Sequence, residues 1–293
     1  MRVFVTGASG FVGQAVVREL LDNGHQVLGL ARSDASATAL TEAGADVHRG
    51  DLTDIDSLLA GTAAADGVIH LAFIHDFSKF QSNIETDNAA VKAMIASLAG
   101  SDKPFIGTSG TLMLAPGRLA TERDAAGSHG GGVTRGDTEK VVTGAEGVRG
   151  GVVRLSPSVH DAGDHGFIPM LIGMAREKGY AAYVGDGANR WSAVHRADAG
   201  RLYRLAIEQA QAGATWHGVG EEGVAMRDIA AVIGEGLGVP VRSIAQEEAP
   251  GYFGWMAGFA GSDNPTSNAI TRETLGWEPR GIGLLDDIRA NYF

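Results

Sequence analysis

The sequence predicts an α/β protein, a doubly wound parallel sheet followed by a small C-terminal lobe. Three observations carry this. The chain opens on a strand, a glycine turn and a helix: Arg2-Val3-Phe4-Val5 is largely apolar, Thr6 to Gly13 reads T-G-A-S-G-F-V-G, and Val12, Ala15, Val16, Glu19 and Leu20 follow at helical spacing. Strand-like and helix-like runs then alternate through the first 160 residues, the pattern of a parallel sheet covered on both faces. After residue 156 that alternation breaks off.

Strands are expected at 2–6, 26–30, 46–48, 67–72, 104–108 and 150–155, and helices at 10–22, 35–43, 54–60, 81–99 and 133–146. Val68 to Ala72 and Gly151 to Leu155 are short, apolar and rich in β-branched residues, as strands buried on both faces tend to be. Turns and loops are expected from 156 to Trp191, then a strand at 192–195, a helix at 198–210 and a strand at 215–219. Met226, Ile229, Ala230, Ile233 and Leu237 mark a helix over 226–236, which Gly238 and Pro240 stop. This divides the chain into a sheet domain, 1–158 with 191–220, and a small lobe, 159–190 with 221–293. Gly127 to Gly132 reads as a mobile loop over a site, and no internal repeat is present.

The opening turn points to a dinucleotide. Gly7 permits the sharp exit from the strand, Gly10 lets the backbone approach a pyrophosphate, and Gly13 lets the helix lie close. The helix N-terminus offers unpaired N–H groups and the positive end of its dipole to phosphate oxygens. The domain is therefore expected to be Rossmann-type, and the lobe to bind substrate. The second strand ends Ala31-Arg32-Ser33, with no carboxylate where one would take both ribose hydroxyls of NAD. A guanidinium there suits a 2′-phosphate, so the reading favours NADP (as NADPH), with Arg32 as a solvated loop residue the alternative and Asp34 leaving NAD open. Asp51, in Gly50-Asp51-Leu52, can hold the adenine amino group or cap the helix starting near Asp54.

Composition narrows the classes. The chain has 293 residues, 44% of them hydrophobic and 20% charged, as globular proteins do, and its formal charge of −11 argues against nucleic-acid or anionic-membrane partners. It has no cysteine, which excludes disulfides, thiolate catalysis and Cys-ligated zinc. With a strand from residue 2 and no apolar run near 18 residues, a soluble cytoplasmic protein is expected.

The chain resembles the extended short-chain dehydrogenase/reductase family, also called the NAD-dependent epimerase/dehydratase family. The resemblance rests on T-G-A-S-G-F-V-G at Thr6–Gly13, Gly50-Asp51-Leu52, His70-Leu71-Ala72, Thr108-Ser109-Gly110, Arg154-Leu155-Ser156-Pro157, Val194 to Asp198 and Leu275-Gly276-Trp277-Glu278-Pro279. It implies an oxidoreductase or related enzyme whose coenzyme lies against Gly7, Ser9, Gly10, Phe11, Val12, Gly13, Arg32, Ser33, Asp51, Leu52, Leu71, Ala72, Pro157 and Ser158. It also leaves room for a homodimer paired through sheet-flanking helices.

One family feature is missing. The usual mechanism uses a Ser or Thr with a Tyr and Lys spaced Y-x-x-x-K on one helix face. None of the tyrosines here (180, 183, 203, 252 and 292) has a lysine four residues on. Ungapped alignment from Thr108-Ser109 puts Arg135 and Glu139 at the tyrosine and lysine positions, and a slip of one puts Gly136 and Lys140 there. The resemblance is thus to an atypical member with a non-standard proton donor. Ser109 and Thr111 can bind a substrate oxygen, or Ser109 can merely end its strand. Arg135 can polarise a carbonyl, or pair with Glu139 at i,i+4, and Glu139 can accept from ribose hydroxyls. His75, beside Asp76 past the fourth strand, can donate a proton or serve only as a loop residue.

The run His160-Asp161-Ala162-Gly163-Asp164-His165 reads as a polar substrate-contact loop, and no metal is expected. His195 and Asp198 read as structural, Asp198 capping the next helix. A serine-hydrolase elbow at Gly107 to Thr111 fails for want of its second glycine. Phe73, Phe77, Phe167 and Trp191 can line a pocket, though core packing is the expectation for most. The leading expectation is NADPH-dependent reduction of a small carbonyl substrate. The alternatives are an NADP(H)-binding sensor or scaffold without turnover, and a redox-neutral isomerase or lyase.

Overall fold

The computed structural model describes residues 1–76, 79–112, 114–126 and 133–293; Phe77 and the stretch Gly127 to Gly132 lie outside the described residues. The first half of the chain runs β1 (Arg2–Thr6), α1 (Phe11–Asp22), β2 (Gln26–Ala31), α2 (Asp34–Glu42), β3 (Asp46–Arg49), α3 (Ile55–Ala63), β4 (Gly67–His70), α4 (Phe80–Leu98), β5 (Pro104–Gly110), α5 (Arg135–Thr143) and β6 (Arg149–Leu155). Later come β7 (Ser158–His160), α6 (Phe167–Lys178), β8 (Ala181–Val184), β9 (Arg190–His195), α7 (Arg196–Glu208), β10 (Ala214–Gly218), β11 (Glu221–Ala225), α8 (Met226–Leu237) and β12 (Val241–Ile244). The short helices α9 (Ala249–Phe253), α10 (Ala257–Ala260), α11 (Ala269–Leu275) and α12 (Leu284–Asn291) follow.

Seven strands form one parallel sheet in the order β10-β6-β5-β4-β1-β2-β3. Consecutive strands run outward in both directions from β1 and β4, so the strand order reverses between those two. In such sheets the crevice for a ligand opens there, beyond the carboxyl ends. Thr6 and His70, the last residues of the two strands, are register partners at that point.

Side-chain alternation sorts the strand residues between two layers. Phe4, Val68, Phe105 and Val152 pack with Leu58, Met94 and Val142 of α3, α4 and α5. Val5, Ile69, Ile106 and Val153 pack with Val16, Leu40 and Leu202 of α1, α2 and α7. Continuing the alternation, Thr6, His70, Ser109 and Arg154 share the α4–α5 side, and Thr108 the α7 side.

The C-terminal lobe has its own core, with Ile168, Leu171, Trp191, Ile229, Ile233, Phe253 and Ile288 among its buried residues. Two expectations are corrected here. The segment after 156 is not loop alone: α6 and β8 lie within it, and β8 pairs with β12. Ile168, Leu171, Ile172 and Ala175 repeat at helical spacing, but the helix starts at Gly166 without a side-chain cap, so its usual starting signal is absent. The strand expected at 192–195 belongs not to the large sheet but to a three-stranded one, β11-β9-β7. Among the described residues no helix is long and apolar enough to cross a membrane.

Candidate active site

The glycine turn sits at the carboxyl end of β1 as a backbone cradle. Gly7 has φ +66°, and a Cβ there would meet the Ala72 nitrogen at 2.8 Å. Gly13 is more constrained: a Cβ would lie 2.0 Å from the Gly7 carbonyl oxygen, so what its missing side chain admits is the turn itself, folded onto the first turn of α1. Gly10 is exposed and is the N-cap of α1, with no side chain capping the helix. The first N–H groups of α1, from Phe11, Val12 and Gly13, therefore have no capping side-chain oxygen, and half-buried Ser9 lies beside them in the chain. An anionic diphosphate fits this cradle, its oxygens accepting from these N–H groups and answering the positive end of the helix dipole.

Thr6 ties this turn to the segment after β4. Its Oγ1 accepts from the Leu71 and Ala72 N–H groups, each at 3.2 Å. Pro157 and Ser158 lie past β6, and the Ser158 hydroxyl is buried without a hydrogen-bond partner among the described residues.

At the end of β2, Arg32 is exposed, with Nε 3.9 Å from Asp51 Oδ2. Ser33 caps α2 by accepting from the Ser36 N–H. Asp51 does not cap the next helix; Asp54 does, accepting from Ser57. Asp51 Oδ1 instead accepts from the Thr53 N–H and hydroxyl, at 2.9 and 2.7 Å, and these bonds, with the charge of Arg32, hold its pKa below the usual carboxylate value. Leu52 is buried beside it. Arg32, Ser33 and the free side of Asp51 thus line one rim, while the glycine turn forms the floor.

The i,i+4 pair on α5 separates. Arg135 does not bridge to Glu139. Its Nη2 donates to the Thr108 carbonyl at 2.7 Å, Nη1 lies 3.6 Å from Asp87 Oδ2, and the guanidinium sits 4.4 Å from the Phe73 ring centroid. Arg135 is the half-exposed cation at the carboxyl end of β5. Glu139 is buried against Arg154 of β6, with Nη2 2.6 Å from Oε2, so its carboxylate is committed there and not to a ribose. Arg154 also donates to the Asp124 carbonyl at 2.8 Å. Lys140, the alternative lysine position, points to solvent and pairs with Asp137 at 3.0 Å.

Ser109 lies inside β5, which continues through Gly110, so it does not terminate the strand. Its side chain is buried on the side of the sheet that α5 covers. The Thr111 hydroxyl is buried 3.2 Å from that of Ser192, a partner that any substrate oxygen would have to displace.

His75 stands exposed on the rim next to Phe73, its ring centroid 5.3 Å from that aromatic ring. Partial loss of hydration, then the charges of Arg135 and His165, lower its pKa below the ordinary histidine value. The loop after β7 closes over the other side. His165 meets Phe11 at 5.8 Å, and Arg196 covers the same ring at 4.7 Å while pairing with Asp161 at 3.2 Å. His160 bonds buried Asp287 at 2.7 Å, and Asp164 accepts from the Tyr292 hydroxyl at 2.8 Å. Among the described residues no group of three or more His, Asp or Glu is placed to hold a metal ion.

His195, not Asp198, caps α7, accepting from Ala197. Asp198 accepts from the Arg280 and Gly281 N–H groups, anchoring the C-terminal segment. Of the aromatic residues, Trp191 is fully buried core, and Phe73 and Phe167 are half-buried.

Residues without an expected role complete the site. Thr6, His70 and Asp87 form a buried chain behind Arg135. Asp87 was detectable as a charge on the apolar stripe Ile84, Val91 and Met94 of α4. Tyr203 is fully buried with its hydroxyl 2.8 Å from Thr108 Oγ1, and burial raises its pKa, so it is no proton donor to the crevice.

The sequence model of the NAD-dependent epimerase/dehydratase family matches residues 3–115. An uncharacterised protein of Saccharomyces cerevisiae is 47% identical over 100% of this chain and 99% of its own length. A 2-alkyl-3-oxoalkanoate reductase of Stenotrophomonas maltophilia is 32% identical over 74% of this chain and 68% of its own. Among solved structures, the dTDP-glucose 4,6-dehydratase DesIV of Streptomyces venezuelae, determined with NAD bound, superposes with a TM-score of 0.76 over 99% of this chain and 95% of that one. At 18% identity, that likeness concerns the fold.

Proposed function

The chain belongs to the NAD-dependent epimerase/dehydratase family, the extended short-chain dehydrogenase/reductases, and on that premise we propose that it is an NADPH-dependent reductase of a small carbonyl compound. The observation that carries this reading is Arg135: a half-exposed guanidinium, fixed at the carboxyl end of β5 by the Thr108 carbonyl and linked through Asp87, His70 and Thr6 to the strand that carries the glycine turn.

The cradle, with uncapped N–H groups at the start of α1, fits the diphosphate. Arg32 and Ser33 fit a 2′-phosphate, Arg32 being extended into solvent with only a 3.9 Å approach to Asp51. The bound nicotinamide would supply hydride. Arg135 takes the part the family gives its lysine, donating to the ribose and, since it keeps its charge, stabilising negative charge that develops on the carbonyl oxygen. Arg135 occupies the position that ungapped alignment gives the family's tyrosine, so no tyrosine hydroxyl is available there. The proton then comes through His75. Exposed at the rim beside Phe73, its ring would take a proton from solvent and pass it to the substrate oxygen.

A substrate with an apolar body is the expectation, because partly exposed apolar side chains follow β5 and open α6. Half-buried Leu112 follows Thr111, and half-buried Phe167 packs against Trp191 at 5.6 Å and exposed Trp255 at 6.2 Å. The reductase from Stenotrophomonas maltophilia bears the name of an alkyl-substituted oxo acid, a class of this kind.

The test is NADPH oxidation followed at the reduced-nicotinamide absorbance band across a panel of aliphatic and aryl ketones. Turnover is expected, and Arg135→Ala should lower kcat/KM about a hundredfold. Tight NADPH binding without oxidation on any substrate would favour a sensor. Product formed without coenzyme consumption would favour an isomerase or lyase.

A further inference from the structure

Thr6, His70 and Asp87 are 0%, 2% and 2% exposed, so their polar atoms can be satisfied only by one another and their immediate neighbours. The hydrogen-bond directions follow. Thr6 Oγ1 accepts from two backbone N–H groups, Leu71 and Ala72, which occupy both of its lone pairs. Its single proton therefore goes to His70 Nδ1, 2.8 Å away. His70 then carries its own proton on Nε2 and donates it to Asp87 Oδ1 at 3.1 Å. That leaves Asp87 Oδ2 buried and, among the described residues, without a hydrogen-bond partner, facing Arg135 Nη1 at 3.6 Å.

A carboxylate oxygen left in this condition is costly unless a charge answers it. The only cation paired with Asp87 among the described residues is Arg135. Arg135 is thus fixed from three directions: the Thr108 carbonyl at 2.7 Å, the Phe73 ring at 4.4 Å and the Asp87 carboxylate. Thr108 belongs to the same frame, because its hydroxyl donates to the His70 carbonyl at 2.7 Å.

We propose that Asp87 is the positioning residue for Arg135, and that Thr6 and His70 hold Asp87 in turn, so that the strand end carrying the glycine turn and the cation at the crevice are set as one unit. The inference rests on the reading of Arg135 as the group that meets the coenzyme ribose. Asp87 itself touches neither coenzyme nor substrate.

The test is a double-mutant cycle on NADPH affinity, measured by quenching of intrinsic tryptophan fluorescence, which needs no turnover. Arg135→Ala is expected to weaken NADPH about tenfold, Asp87→Asn to weaken it by a comparable factor, and the double variant to be no weaker than Arg135→Ala alone. Losses that multiply in the double variant would overturn the inference, since Asp87 would then act independently of Arg135. A loss with Asp87→Asn but none with Arg135→Ala would overturn it as well. If Arg135→Ala is silent while NADPH still binds, the reading of Arg135 fails and the family assignment stands. Should Asp87→Asn not fold, His70→Phe serves in its place. It keeps a ring there and removes the Nε2 donor that holds Asp87 Oδ1, and it must cost affinity in the parent and nothing further in Arg135→Ala.

Discussion

Arg154 grips both carboxylate oxygens of Glu139 inside the protein, with Nε 3.1 Å from each and Nη2 2.6 Å from Oε2. The two residues are 3% and 6% exposed, so neither charge has water to fall back on. This pair decides what α5 offers the crevice: the carboxylate turns inward to β6 and the arginine one turn earlier faces out.

Glu139→Ala leaves the Arg154 charge buried and unpaired, and is expected to cost about 3–5 kcal/mol. Chemical denaturation should show the lower midpoint, while the folded fraction binds NADPH as the parent does. Full stability with lost coenzyme affinity would return Glu139 to the ribose.

Gly13→Ala places a methyl group where the Gly7 carbonyl oxygen lies 2.0 Å away. Neither backbone segment can yield without moving the cradle, so NADPH affinity should fall by about 2 kcal/mol or more, some thirtyfold, by titration calorimetry. Normal affinity would mean that the turn does not meet the diphosphate.

Arg32→Ala should separate the two coenzymes. Its guanidinium is exposed and, among the described residues, held only at 3.9 Å by Asp51, which leaves it open to a 2′-phosphate. Affinity for NADPH should drop by about 2 kcal/mol, and that for NADH should hardly change. Equal losses would remove the basis for choosing NADP.

His75 should titrate below 6.5, because loss of hydration and the nearby charges of Arg135 and His165 oppose its protonation. The folded pKa is therefore depressed, and between it and 6.5 the unfolded chain holds the proton more tightly. The contribution to stability is intact above that window and is lost as pH falls through it. Unfolding free energies from about pH 8 down to about pH 5 should decline less steeply for His75→Gln than for the parent. An identical decline would show that His75 is not perturbed.

The sequence by itself determined the parts whose physics is local. T-G-A-S-G-F-V-G can be recognised because the φ of Gly7 and the uncapped start of α1 depend on residues within a few positions. The alternation through β6 is legible because strand and helix periods write themselves into burial. What stayed hidden was the choice of partner. Arg135 and Glu139 are spaced for a helix-surface ion pair worth about 0.2–0.5 kcal/mol. Buried partners brought in from β6 and α4 outweigh that, and Arg154 and Asp87 are 15 and 48 residues away from them in the chain. In the same way His195 rather than Asp198 caps α7, because Asp198 has the backbone of Arg280 and Gly281 to satisfy. Only the tertiary structure decides such contests, because desolvation makes a charge answer to whichever partner is buried beside it, however distant in sequence.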